Sequence, residues 1–430
     1  MLRFAPSPTG DMHIGNLRVA IFNFIVAKQR KERFIIRIED TDKERNIVGK
    51  DREILAILDT FGLKYDDVVY QSANFSFHHN FAYKLLEEKK AFACFCTPED
   101  LEKERKEAAE QKRAYRYSGR CESITLEEAQ KRGEPFVVRV KKPERAIAFQ
   151  DIIKGNLCFE PNEVDSFIIL RIDGTPTYNF ACAIDDMLYD ISLIIRGEDH
   201  LSNTPKQIHI RNLLGYDKEI EYAHLPIILN EMGKKMSKRD DASSVKWLLD
   251  EGFLPEAITN YLILLGNKTP KEIFTLDEAI TWFDLKNISK APARFDMEKL
   301  RFINRTHLMQ KDPQELAKLL QIHPSLGELA KLYLEEASTL KELKEKLDTI
   351  FSKQKDFKEF AQEAAILKNI IENMQLPEDF NTFKQELMQQ SGLKGKRFFK
   401  PLRLLLTGAE HGPEISLLYK YLKPHIKEVI

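Results

Sequence analysis

Two short apolar runs near the N-terminus, Leu2 to Ala5 and Phe34-Ile35-Ile36-Arg37-Ile38, flank a long helical stretch from Ile14 to Gln29. A strand, a helix and a second strand predict a right-handed parallel crossover, so the chain opens as an α/β domain. A second helix follows, with Ile54, Leu58 and Phe61 on one face, Ile57 beside them, and Gly62 as its stop.

From about Phe77 to Asp173 the texture changes. A heavily charged helix follows Thr97-Pro98-Glu99, and β-rich stretches such as Phe136-Val137-Val138-Arg139-Val140 come after it, which reads as an insertion. The α/β pattern resumes with a strand at Ile191-Ser192-Leu193-Ile194-Ile195, a helix capped at Thr204-Pro205 and a strand near Glu219 to His224. Beyond about Val245 helical patterns succeed one another, as in Leu340, Leu343 and Leu347, or Phe398, Leu402 and Leu405. The expected divisions are 1–76 and 176–245 for a split α/β domain, 77–175 for the insertion, and 246–305 and 306–430 for two helical regions.

A length of 430 residues agrees with several domains, since ~150 residues is a common domain size. No apolar run approaches the ~20 residues that span a bilayer. Met1-Leu2-Arg3-Phe4-Ala5-Pro6 lacks the sections of a secretory signal, so a cytoplasmic protein without a membrane partner is expected. Five cysteines are too few for a disulfide framework, and three of them, Cys94, Cys96 and Cys121, cluster in a way that points to a metal or to nothing. A net charge of -1 gives no global attraction for nucleic acid, so any RNA-binding surface must come from segregated Lys and Arg.

Between the first strand and first helix lies Pro6-Ser7-Pro8-Thr9-Gly10-Asp11-Met12-His13-Ile14-Gly15-Asn16. Loops at the ends of parallel strands hold ligands in open α/β sheets, and a helix N-terminus offers amides and a positive dipole to phosphate. His13 could donate to phosphate oxygens, and Gly15 leaves room for a nucleotide. On its own the segment is equally a Pro/Gly turn carrying a surface histidine. Far downstream, Lys234-Lys235-Met236-Ser237-Lys238-Arg239 can swing ammonium groups onto phosphates, or be a solvated basic loop.

Together, His13-Ile14-Gly15-Asn16 and Lys235-Met236-Ser237-Lys238-Arg239 resemble the paired nucleotide signatures of class I aminoacyl-tRNA synthetases. Within that class, Arg3-Phe4-Ala5-Pro6-Ser7-Pro8-Thr9-Gly10 and Arg37-Ile38-Glu39-Asp40-Thr41-Asp42 resemble the glutamyl-tRNA synthetases. The resemblance continues through Pro176 to Ala181, Asp185-Asp186 and Ile195-Arg196-Gly197-Glu198-Asp199-His200, and reaches Lys396 to Arg403. Asn16 stands where the class signature has a second histidine, which keeps a polar side chain and removes one phosphate donor.

The resemblance implies a fold that is multidomain α/β plus all-α. A Rossmann-like catalytic domain would be split by an α+β insertion that binds the tRNA acceptor end, then followed by helical stem-contact and anticodon-binding regions. It implies glutamate activation by ATP with Mg2+, giving glutamyl-adenylate, then transfer to a terminal ribose hydroxyl of tRNA. His13, Gly15, Asn16, Asp199, Lys235, Met236, Ser237, Lys238 and Arg239 would bind ATP, with His13 and Lys238 catalytic. Arg3 and Arg196 would hold the substrate's side-chain carboxylate with Tyr178, Glu39 would face its ammonium group, and Ala5, Ser7 and Cys182 would line the pocket. Taken singly, Arg37 beside Glu39 is better read as a strand ion pair and Tyr178 as a core aromatic, and only the matched strings favour the functional reading.

Some members of this family hold a structural zinc ion through Cys-x-Cys and a later cysteine. Where others add a histidine two residues further on, this chain has Ser123, so Cys94, Cys96, Tyr117 and Cys121 would be the ligands, the alternative being three reduced thiols. Lys394, Lys396, Arg397, Lys400 and Arg403 form either a solvated helix face or a tRNA contact, and the resemblance favours the contact. The implied partners of a monomeric enzyme are L-glutamate and tRNA-Glu or tRNA-Gln. Charging of tRNA-Gln would bring in an amidotransferase. A catalytically silent tRNA-binding paralogue would have lost the nucleotide or glutamate residues, which this sequence keeps.

Overall fold

β1 (Leu2–Phe4), α1 (Ile14–Arg30) and β2 (Phe34–Ile38) form the expected parallel crossover, with Leu2, Arg3 and Phe4 in register with Phe34, Ile35 and Ile36. The computed structural model describes residues 1–237 and 240–430. Helix α1 buries Ile14, Leu17, Ile21, Phe22 and Ile25, and it stops at Lys31, whose left-handed backbone closes the last turn. After α2 (Lys50–Thr60), β3 (Asp67–Tyr70) joins β2 in parallel.

Two compact units emerge, one built from Met1–Val245 with Leu262–Phe295, the other from Lys246–Tyr261 with Asp296–Ile430. The stretch 246–305 is therefore shared between them.

In the first unit the chain passes from β3 through α3 (Phe75–Glu87), β4 (Ala91–Cys94), α4 (Pro98–Glu110) and α5 (Leu126–Arg132) to β5 (Val137–Val140). Thr97 and Asp100 form a reciprocal capping box that starts α4. Next come β6 (Ile147–Asp151), β7 (Gly155–Phe159), α6 (Pro161–Val164) and β8 (Phe167–Leu170). β4, β5 and β8 make a separate antiparallel sheet. Its apolar face shares one core with α3 and the following helices, through Leu85, Val138, Ile169, Phe180 and Ile210.

The hairpin of β6 and β7 departs from the expected insertion. It returns to the main sheet, which runs β3-β2-β1-β9-β10-β6-β7 once β9 (Leu193–Gly197) and β10 (Glu221–Leu225) are added. Asp151 pairs with Tyr222, and the Phe149 ring packs on Tyr222, so β6 has an apolar reason to extend this edge. All neighbours are parallel except β7 on β6. β9 begins two residues later than the apolar run suggests, because Ile191 packs with Ile194, Ile220 and Tyr222 before the ladder starts.

α7 (Tyr178–Leu188) precedes β9, and α8 (Thr204–Leu213) precedes β10. Thr204 was expected to cap α8, but Asn203 occupies that position and the Thr204 hydroxyl turns to Arg196 and His224. The helix start gives up a side-chain cap, worth ~1 kcal/mol, to serve a buried polar network.

The second unit is helical, with helices such as Met297–Gln310, Leu340–Phe351, Phe380–Ser391 and Lys396–Thr407. Leu343, Leu347, Phe398, Leu402 and Leu405 are buried as their spacing predicts. Buried Asn304 accepts from the Leu254 amide at 2.7 Å and donates to the Ser338 carbonyl at 2.6 Å, so it ties three segments together at no cost in unpaired groups. Among the described residues no helix is long and apolar enough to cross a membrane.

Candidate active site

The order of the main sheet fixes where a ligand can sit. From β1 the chain winds outward through β2 and β3 on one side, then continues through β9 and β10 on the other, so the strand order reverses between β1 and β9. In open parallel sheets such a reversal leaves a crevice at the carboxyl ends of the strands. Here it is a cavity of about 300 Å³, walled by Arg3 to Ser7 along and after the end of β1, Glu39 after β2, Arg196 and Gly197 on β9, and Leu225 to Ile228 from the end of β10 onward. Tyr178, His13, Gly15, Asn16, Asp199, Lys235 and Met236 are also in the lining.

One end of this cavity is charged and preorganised. Asp186 on α7 accepts from Arg3 Nε at 3.1 Å and from an Arg37 terminal nitrogen at 2.6 Å, and Arg37 donates in turn to Glu39 at 3.1 Å. Burial alone would raise the Asp186 carboxyl, but the two guanidinium groups outweigh it and hold it well below the usual carboxylate range. Arg37 thus forms the strand ion pair with Glu39 and bridges it to Asp186. The Cys182 thiol donates to Glu39 at 3.1 Å from behind and does not line the cavity. Burial, with Glu39 next to it, pushes that thiol well above its ordinary value and keeps it a neutral donor.

Arg196 is held differently. It donates to His224 Nε2 at 3.2 Å, Gln207 Oε1 at 3.0 Å and Thr204 Oγ1 at 2.8 Å, all uncharged acceptors. Tyr178 reaches the cavity from the first turn of α7, with its hydroxyl 3.1 Å from His200 Nδ1.

At the other end, His13 is the N-cap of α1 and its Nδ1 accepts from the Gly15 amide at 3.0 Å. In a neutral ring this places the proton on Nε2. A Cβ on Gly15 would lie 3.2 Å from His13 Nδ1, so the glycine keeps the turn close-packed. Lys235 is 3.3 Å from Asp199. Asp240 accepts from the Ser237 amide at 2.8 Å, and Asn230 reaches Asp240 at 3.1 Å, which ties the base of the lysine loop together. Lys238 and Arg239 lie outside the described residues.

Comparison with known proteins fits this arrangement. The family of tRNA synthetases class I (E and Q), catalytic domain, matches residues 1–302, and the anticodon binding domain family matches residues 302–424. Glutamate–tRNA ligase 1 of a Nitratiruptor species is 75% identical over 430 residues, covering 100% of both chains. Glutamate–tRNA ligase 2 of Sulfurimonas denitrificans is 60% identical over 431 residues, again covering 100% of both. This chain belongs to the glutamate–tRNA ligase family. A crystal structure of a glutamate tRNA ligase from Elizabethkingia meningosepticum, in complex with its amino acid, superposes with a TM-score of 0.85 at 29% identity, over 99% of this chain and 97% of that one. Ligases of this class use ATP.

Glutamate–tRNA ligase resemblance also singled out the cysteines of the insertion, and these converge. The Tyr117 hydroxyl lies 3.4 Å from Cys94 Sγ and 3.5 Å from Cys96 Sγ, and Cys96 and Cys121 sulfurs are 3.7 Å apart. Sulfurs around a tetrahedral zinc ion, with bonds of about 2.3 Å, would be spaced by about 3.8 Å. The donor set fits the ion. In the anticodon-binding region of the ligase, members of the basic cluster are partnered, with Lys396 by Glu359 at 3.1 Å, Lys400 by Glu410 at 3.6 Å, and Arg403 by the Pro413 carbonyl at 3.1 Å. Exposed pairs of this sort are worth little and are easily exchanged for phosphate.

Sequence reasoning missed the ligase's supporting residues. Nothing in the sequence around Asp186 gives it a role, because its partners Arg3 and Arg37 are more than a hundred residues away. His224, Asp151 and Gln207 carry no local signal at all, since the strand and helix that bring them to Arg196 only meet in the fold.

Proposed function

We propose that the crevice binds L-glutamate and ATP with Mg2+ side by side, joins them as glutamyl-adenylate, and passes the glutamyl group to the terminal ribose of tRNA. The observation that carries this reading is one cavity that has guanidinium groups at one end and a helix N-terminus at the other. The substrate's γ-carboxylate would lie between Arg3 and Arg196 near the Tyr178 hydroxyl, with its ammonium group toward Glu39 and its backbone along Ala5 and Ser7. Its α-carboxylate would then point at the α-phosphate of ATP.

Phosphates would rest on the first turn of α1, taking a hydrogen bond from His13 Nε2 and the helix dipole, with the ribose and base along Gly15, Asn16 and the strand after β10. Lys235, Met236, Ser237, Lys238 and Arg239 would follow the departing pyrophosphate, Lys238 neutralising the charge that grows on it, and Asp199 would release Lys235 to the nucleotide. Positioning and fixed charge supply the catalysis, and no protein nucleophile takes part. Cys94, Cys96, Cys121 and Tyr117 would hold one zinc ion, which braces the insertion against the acceptor stem. Residues 77–175 would bind that stem, 246–305 the inner corner of the tRNA and 306–430 the anticodon, in a monomeric cytoplasmic enzyme.

The acceptor is tRNA-Glu in this reading. Radiolabelled glutamate, ATP and Mg2+ are supplied with purified tRNA-Glu or tRNA-Gln, and Lys238→Ala serves as the control. Lys238-dependent charging of tRNA-Glu alone is the expected result. Charging of tRNA-Gln would make the enzyme a supplier of a downstream amidotransferase, and charging of neither would refute the proposal.

A further inference from the structure

Arg3 and Arg37 lie against carboxylates, whereas Arg196 makes no ion pair among the described residues although it is almost fully buried. Three of the donors on its three nitrogens are nonetheless taken by His224, Gln207 and Thr204, one on each nitrogen, which leaves a hydrogen on each terminal nitrogen. An arginine so held is oriented without being neutralised, and its charge stays available to whatever enters the crevice.

His224 achieves this through its second nitrogen. Nδ1 is 2.6 Å from Asp151 Oδ2, and the same oxygen accepts the His224 amide at 3.0 Å. A carboxylate can only accept, so Nδ1 carries the ring proton and Nε2 presents a lone pair. That lone pair is shared between Arg196 Nε at 3.2 Å and the hydroxyl of Thr204 at 3.0 Å, which itself accepts from an Arg196 terminal nitrogen. Asp151 is fixed as firmly: its other oxygen accepts the Ile153 and Lys154 amides at 2.9 and 2.7 Å. The negative charge therefore stands one imidazole ring away from the guanidinium.

We infer that Asp151 and His224 are positioning residues that set selectivity for an anionic over a neutral amino-acid side chain by orienting Arg196 through an uncharged acceptor. The inference rests on the reading of Arg196 as a partner of the substrate's γ-carboxylate. A carboxylate placed directly on Arg196 would compensate its charge and remove the penalty against glutamine. With the imidazole in between, glutamine leaves a buried guanidinium unmatched, and glutamate does not.

The test is aminoacylation at saturating tRNA, with initial rates taken over glutamate, glutamine and ATP. His224→Asn keeps a donor for Asp151 and loses the acceptor for Arg196, whereas His224→Gln can place its amide oxygen near the position of Nε2. His224→Asn should raise the KM for glutamate roughly tenfold and lower the glutamate-to-glutamine ratio of kcat/KM by about as much, with the KM for ATP unchanged. His224→Gln should recover most of both, and Asp151→Asn should shift both in the same direction as His224→Asn. Equal losses for the two His224 variants with a raised KM for ATP, or an unchanged glutamate KM in His224→Asn, would overturn the inference. Should His224→Asn not fold, the same readouts on Asp151→Asn decide between these results. Arg196→Ala separates the two levels: an unchanged glutamate KM in that variant defeats the reading of Arg196 itself, whereas a raised one combined with silent His224 and Asp151 variants defeats only the relay.

Discussion

Arg3 on β1 and Asp186 on α7 meet at 3.1 Å with both side chains almost fully out of solvent. Because Asp186 also holds Arg37, one carboxylate fixes the strand ends on which Arg3, in the cavity wall, and Glu39 stand. Removing one member of such a buried set leaves charges unpaired, so Asp186→Ala should cost about 3–5 kcal/mol. Urea unfolding followed by circular dichroism measures it, and a loss below about 0.5 kcal/mol, the size of an ordinary surface substitution, would contradict the assignment.

Gly15 keeps the first turn of α1 close to the cavity, since a Cβ there would press on His13 Nδ1 at 3.2 Å. Gly15→Ala should raise the KM for ATP roughly tenfold and leave the KM for glutamate near its original value, because only one end of the cavity is disturbed. A glutamate KM that rises in parallel would mean that the two ends are not separable.

His200, His209, His224 and His307 all titrate below their ordinary value of 6.5, burial being the main cause in each. A group whose folded pKa is depressed binds fewer protons in the native state than in the unfolded one. Stability is therefore full above 6.5 and falls as the pH drops below it, since the unfolded chain takes up protons first. The Tm should decrease between about pH 7.5 and about pH 5.5, the window around the histidine titration. A Tm that is constant or higher at the acid end would contradict these environments.

What the sequence disclosed and what it concealed follow from range. The strands Leu2–Phe4 and Phe34–Ile38 and the helix between them are set by local periodicity, and they were legible. So were His13 and Gly15 at the start of α1 and Lys235 in its loop, which lie in short contiguous strings and line one cavity. The hairpin Ile147–Phe159 was assigned to the insertion because nothing in its own residues says which sheet it will join, and Asp151↔Tyr222 decides that across the fold. Thr204 read as a cap because Thr before Pro is a helix-start signal, and only the position of Arg196 shows why its hydroxyl is used elsewhere. Cys182 kept a place in the substrate set by resemblance, whereas its thiol is turned to Glu39.

The insertion makes its own prediction. Protein purified without chelator should carry about one zinc ion per chain, as a closed tetrahedral set of three thiolates and one oxygen requires. Cys96→Ser should lose the metal by elemental analysis and lower the Tm, while Cys158→Ser, an exposed thiol outside the cluster, should change neither. Full zinc content in Cys96→Ser would contradict this ligand set.

The orientation of glutamate in the crevice is the centre of the account, and a crystal structure with bound L-glutamate tests it most directly. The γ-carboxylate oxygens should lie about 3 Å from guanidinium nitrogens of Arg3 and Arg196, with the ammonium group at a similar distance from Glu39. Glutamate bound with its α-carboxylate on Arg196, or bound outside the crevice between β1 and β9, would contradict it.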